Sequence, residues 1–135
     1  MMQAVIDTNI LVSALLHPGS VPDAVIQDIV GLRLTPVVCE AVVAEYSAVL
    51  SRPRFAFPAP QVREVLALFE QLAVEVKVPP YTGQPALPDP ADWPFVACAL
   101  AVRSPVITGN IRHFPESCGV RAMTAREWVE KGPRA

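Results

Sequence analysis

The sequence predicts an α/β layered fold built on a mostly parallel sheet, and three observations carry that expectation. Short β-capable runs alternate with helix-like segments, the order produced by parallel strands joined through helical crossovers. The chain has 135 residues, 52% of them apolar and 18% charged. That is enough apolar material for one core, so a single domain over residues 1–135 is expected. Capping and turn residues also punctuate the segments, as in Asp7-Thr8-Asn9, His17-Pro18-Gly19, Arg52-Pro53 and Thr108-Gly109-Asn110.

Gln3–Ile6 reads as the first strand, followed by an apolar helix over Ile10–Leu16 that His17-Pro18-Gly19 breaks. Val21–Val30 reads as a second helix, with Pro22 tolerated in its first turn. Leu34–Val38 is strand-like even though Pro36 is a residue that sheets confine to their edges. Helices are expected over Glu40–Ser51 and Gln61–Ala73. Val74, Val76 and Val78 then alternate with Glu75 and Lys77 as a half-exposed strand. Residues 78–91 hold five of the fifteen prolines and form a stiff extended loop. Asp92 is placed to cap a nearly all-apolar helix reaching Arg103. Pro105–Ile107 and Gly119–Met123 read as short strands, and Thr124 caps a last helix over Ala125–Lys131. Ligands of parallel sheets sit beyond the carboxyl ends of the strands. Asp7 and the Thr108-Gly109-Asn110 turn are therefore expected on one edge.

Composition narrows the function. A low charged fraction and a mean hydropathy of +0.36 exclude intrinsic disorder. The longest apolar run, Phe95–Val102, is far short of the about 20 residues that a membrane span needs. The N-terminal segment lacks a basic region and places Asp7 where a signal peptide would be apolar. The expectation is a soluble, cytoplasmic domain without membrane association. Thirteen acidic against eleven basic residues give a net charge of −2 and no Lys/Arg cluster. A nonspecific electrostatic grip on nucleic acid is thereby disfavoured, but not an enzyme that meets phosphate through bound cations. Cys39, Cys98 and Cys118 are odd in number and widely spaced, which fits free thiols in a reducing compartment.

Glu64, Glu70, Glu127 and Glu130 read as solvated charges, whereas three other acids do not. Asp7 directly follows a buried-type strand, although a helix N-cap would account for it alone. At 100° per residue, Glu40, Ser47 and Ser51 form the polar face of their helix, and Glu45 falls on the other side beside Val42. A carboxylate there must be desolvated, paired with a cationic side chain or bound to a metal. Asp92 again occupies a capping position, and Asp89 reads as a turn residue. Taken together, Asp7, Glu45 and Asp92 suggest a convergent acidic pocket. Crowded carboxylates either gain a proton or bind a cation. Oxygen donors suit Mg²⁺ or Mn²⁺ rather than zinc, and such an ion supports hydrolysis of a phosphodiester.

Four blocks in this order resemble the PIN domain family, in particular its short bacterial branch of VapC-type toxins from toxin–antitoxin systems. VIDTNILVSALL resembles the first motif, with Asp7 as its acid and Asn9 as a supporting polar residue. EAVVAEYSAVLSRPRF resembles the second and places its acid at Glu45. LPDPADWPFVACALA resembles the third, with Asp92 three residues before Phe95, and VITGNIRHFP matches the fourth over Thr108–Pro115. Many members carry an acid where this chain has Asn110, and an amide brings no charge toward a second metal.

The resemblance implies a three-layer α/β/α sandwich and a Mg²⁺- or Mn²⁺-dependent ribonuclease acting on single-stranded or looped RNA. It also implies a homodimer and an antitoxin partner. Asp7, Glu45 and Asp92 would hold the cation, Asn110 and Thr108 would orient the attacking water, and Asn9 would fix the Asp7 carboxylate. Arg112 and His113 would touch RNA phosphate. Two other readings compete. One is a phosphatase with Asp7 as nucleophile, which lacks a partner acid at Asn9 and has only Lys77 and Lys131 as lysines. The other is a non-catalytic RNA- or protein-binding module on the PIN scaffold.

Overall fold

The computed structural model describes residues 2–131. Five parallel strands form one sheet: β1 (Met2–Ile6), β2 (Leu34–Val38), β3 (Val74–Glu75), β4 (Val106–Ile107) and β5 (Ala122–Met123). Their spatial order is β3-β2-β1-β4-β5. Six α-helices flank it: α1 (Thr8–Leu16), α2 (Val21–Val30), α3 (Glu40–Leu50), α4 (Ala59–Leu72), α5 (Trp93–Val102) and α6 (Ala125–Lys131). This is the expected three-layer α/β/α sandwich, and its sheet is parallel throughout. No helix among the described residues is long and apolar enough to cross a membrane.

Strands covered on both faces read as continuous apolar runs, and Ala4, Val5 and Ile6 of β1 are fully buried. β1 pairs with β2 through Met2, Gln3 and Ala4, and with β4 through Val5 and Ile6. Strands are added on one side as far as β3 and on the other from β4 onward. The order thus reverses between β1 and β4, where α/β sheets open a crevice beyond the strand ends. Pro36 is tolerated because β3 pairs only with Val37 and Val38. At Pro36 the ladder is one-sided, so a missing N–H interrupts little.

Several boundaries differ from the expected ones for local reasons. α1 begins at Thr8, not Ile10, because the Ile10 N–H already bonds the Asp7 carbonyl at 3.0 Å. β3 is shorter than the alternation suggested. The Val76 N–H still reaches the Val38 carbonyl at 2.9 Å, after which Pro79 and Pro80 have no donors to extend the ladder. β5 starts only at Ala122, because residues 116–118 form a 3₁₀ turn that Gly119 closes at φ +85°. The three cysteines are free and buried.

Two side chains tie the layers together. On α3 the buried stripe is Val42, Tyr46 and Leu50. The Tyr46 hydroxyl donates to the Ile6 carbonyl at 2.5 Å, and its ring packs 5.0 Å from Phe69 and 6.3 Å from Phe95. Burial holds the Tyr46 hydroxyl well above its ordinary pKa, so it remains a donor. On α2, Asp28 is fully buried and accepts from Arg33 Nε at 3.0 Å and from Trp128 Nε1 of α6 at 3.2 Å. Helical spacing alone puts it between Val25 and Ile29 on the apolar face. Trp128→Phe removes a donor from a buried carboxylate and leaves unfilled volume. It should cost about 2–3 kcal/mol in urea denaturation, with an unchanged m-value.

Candidate functional site

The crevice between β1 and β4 is a cavity of about 370 Å³, and its walls include Asp7, Thr8, Asn9, Asp89, Asp92, Asn110 and His113. Asp7 leaves the end of β1 with only 8% of its surface exposed. It occupies the N-cap position of α1 but makes no side-chain cap. Its Oδ2 instead accepts from the Thr108 hydroxyl at 2.7 Å, directly after β4. Thr108 is fully buried, and its oxygen in turn accepts from the Asn110 N–H at 2.9 Å. Burial raises the pKa of Asp7; the Thr108 bond and the Thr8 backbone oppose the shift, and the Glu45 charge adds to it.

The Asn9 side chain serves a different purpose from the expected one. Its Oδ1 accepts from the Gly109 N–H at 3.0 Å, so Asn9 holds the loop that carries Asn110 rather than the Asp7 carboxylate. Glu45 is also placed differently from the sequence reading. The core stripe of α3 runs through Val42, Tyr46 and Leu50, and Glu45 lies at its flank, half-buried. The Thr8 hydroxyl donates to Glu45 Oε2. Because Thr8 lines the cavity, Glu45 meets the site through that hydroxyl.

Asp92 closes a 3₁₀ turn over Pro90–Asp92 and makes no cap hydrogen bond to α5. Its Oδ2 is buried without a hydrogen bond of acceptable geometry, although His113 Nδ1 lies 3.0 Å away. Burial pushes its pKa from 3.8 to about 6; the Asp7 charge adds to the shift, and His113 opposes it. Asp89 is the expected turn residue, with Oδ1 accepting from the Ala91 N–H at 3.0 Å. It also joins Asp92 and His113 in a group whose ligand atoms lie within 4.8 Å of one another. His113 therefore faces Asp92, while Arg112 is exposed on the neighbouring turn.

These donors fit a divalent cation. They are mostly carboxylate oxygens, one of them a buried acceptor with no well-aligned hydrogen bond, and their mutual repulsion is what a cation relieves. Sequence reasoning read Asp89 as a turn residue alone and did not pair His113 with Asp92, since both placements depend on how the proline-rich loop folds back. Without metal, a carboxyl group with a raised folded pKa makes the folded state bind more protons than the unfolded chain between pH 3.8 and about 6. Stability then falls as pH rises through that window. Asp92→Asn in chelator should be more stable than wild type at pH 7, by about 1 kcal/mol after solvent screening, and little different at pH 4. Paired thermal melts at the two pH values check this.

The PIN domain family model matches residues 3–112. Similar solved structures include VapBC2 from Rickettsia felis bound to a DNA fragment from their promoter, with a TM-score of 0.62 at 19% identity. That match covers 91% of this chain and 98% of the other. FitAB bound to an IR36 DNA fragment gives a TM-score of 0.62 at 16% identity, covering 90% and 94%. FitAcB from Neisseria gonorrhoeae gives 0.59 at 18%, covering 91% and 98%. No curated protein matches the chain. With the family model spanning β1 through the loop after β4, and the sheet order and buried Asp7 in place, the chain belongs to the PIN domain family.

Proposed function

We propose that this protein is a metal-dependent endoribonuclease that hydrolyses phosphodiester bonds of single-stranded or looped RNA, and that it is the toxin of a toxin–antitoxin pair. The observation that carries the reading is the buried Asp92 Oδ2, with only His113 Nδ1 close by at 3.0 Å, in a cavity shared with Asp7 at the β1/β4 switch point. Asp7 and Asp92 would hold Mg²⁺ or Mn²⁺, with Glu45 contributing from behind the Thr8 hydroxyl. Such an ion supplies positive charge that acidifies water and neutralises the phosphodiester.

The chain's own residues do the rest. Thr108 fixes the Asp7 carboxylate, and Asn9 fixes the loop that presents Asn110 to the cavity, where its amide can orient the attacking water. The overall charge of −2 lacks the basic stripe that grips A-form duplexes, which favours unpaired strands. VapBC2 and FitAB are solved as complexes bound to DNA, and their likeness to this fold supports an antitoxin partner here. A homodimer and a cytoplasmic location complete the proposal.

The experiment is a cleavage assay on a defined RNA, unpaired and annealed to its complement, with Mn²⁺ against chelator. Cleavage should require the metal and favour the unpaired strand. It should fall by at least about 100-fold in Asp7→Asn, Glu45→Gln and Asp92→Asn while the fold persists. Wild-type activity in a folded Glu45→Gln would make Glu45 a structural residue. Metal-independent cleavage would contradict the metal-dependent reading, and no cleavage at all would favour the non-catalytic binding module.

A further inference from the structure

The cavity contains one feature that the metal site does not use. Between α3 and α4, residues 53–55 form a 3₁₀ turn, and Arg54 and Phe55 from it line the same cavity as Asp7 and Asp92. The Phe55 and Phe57 rings stack with centroids 5.4 Å apart and planes at 12°. The Arg54 guanidinium lies 4.8 Å over the Phe55 ring. Among the described residues, Arg54 is the sole arginine or lysine lining the cavity, and no carboxylate pairs with it there. Three acids share the cavity, but the guanidinium is held by an aromatic face instead.

The segment is pre-shaped. Pro53 opens the turn, Pro58 precedes α4 and Pro60 sits in its first turn, while Ala56 adopts the left-handed conformation between the two rings. Fixed φ angles reduce the ordering cost of binding. A guanidinium held over a ring still has N–H donors free for a phosphate, and a stacked aromatic pair offers apolar surface to a base that is not in a duplex.

Building on the nuclease reading, we infer that the Arg54-Phe55-Phe57 stack is the strand-holding element of the site. Arg54 takes a backbone phosphate of single-stranded RNA next to the bond that is cut, and the aromatic pair supports the adjoining unpaired base. Arg54 is thus a substrate-binding residue, and Phe57 positions it by backing Phe55. Binding in this way selects unpaired RNA, because a paired base cannot reach the ring.

The test is fluorescence anisotropy of a labelled oligouridylate with the full chain and Ca²⁺, an oxygen-binding ion of looser geometry than Mg²⁺, over a range of salt concentrations. Arg54→Ala should weaken binding by about tenfold and reduce the salt slope by about 0.7, the contribution of one phosphate contact on a single strand. Arg54→Lys should restore the slope but only part of the affinity, and Phe57→Ala should weaken binding with little change in slope. Arg126→Ala, at an exposed position on α6 outside the cavity, should match wild type. Wild-type affinity and slope in Arg54→Ala would overturn the inference, as would failure of the wild type to bind the oligonucleotide. Cleavage with Mn²⁺ is read in parallel. If wild type cleaves and Arg54→Ala binds normally, the clamp fails and the nuclease stands. If Arg54 carries binding but nothing is cleaved, the clamp stands and the nuclease reading fails.

Discussion

A carboxylate buried at the reversal point of the sheet governs the rest of the architecture. Asp7 follows β1 without a break, where the chain has just left a fully buried strand, and its charge must be satisfied within the protein. Thr108, placed identically after β4, provides a side-chain hydrogen bond that does so directly. That bond requires β1 and β4 to be neighbours. Their parallel register, Val5 beside Val106 and Ile6 beside Ile107, brings the two residues side by side. Tyr46 then fixes the last carbonyl of β1, and Asn9 fixes the loop beyond β4. The ends of β1 and β4 thus set the positions of Asp7 and Thr108, while Asp89, Arg54, Asn110 and His113 reach the cavity from the loops around it.

Much of this was legible in the sequence. The bounds of α2 and β2 follow from apolar spacing, and the strand-end rule placed Asp7 and Thr108 on one edge. Short strands were harder to bound. β3, β4 and β5 have two residues each, and their lengths depend on which neighbours offer donors rather than on alternation. Helical periodicity picked Glu45 as buried because it weighed only the polar face. The helix in fact buries the Val42, Tyr46 and Leu50 stripe, leaving Glu45 at its flank, while the fully buried acid is Asp28. Asp89, His113 and Arg54 reach the cavity through loop conformations that no spacing rule encodes.

The electrostatics of the cavity explain why it is poised for a cation. Burial raises the proton affinity of both Asp7 and Asp92; the Glu45 charge adds to this at Asp7, and the Asp7 charge adds to it at Asp92. His113 offsets part of this at Asp92, but Asp89 adds another charge beside it. A divalent ion would satisfy the buried Asp92 oxygen and remove the repulsion together. The donors permit two placements: between Asp7 and Asp92, or toward Asp89 and His113.

Growing crystals with Mn²⁺ and locating it by its anomalous signal separates these placements. The account predicts a peak within coordinating distance of both the Asp7 and Asp92 carboxylates, beside the Thr108 hydroxyl. A peak on Asp89 and His113 alone, or no peak anywhere in the cavity, would contradict it.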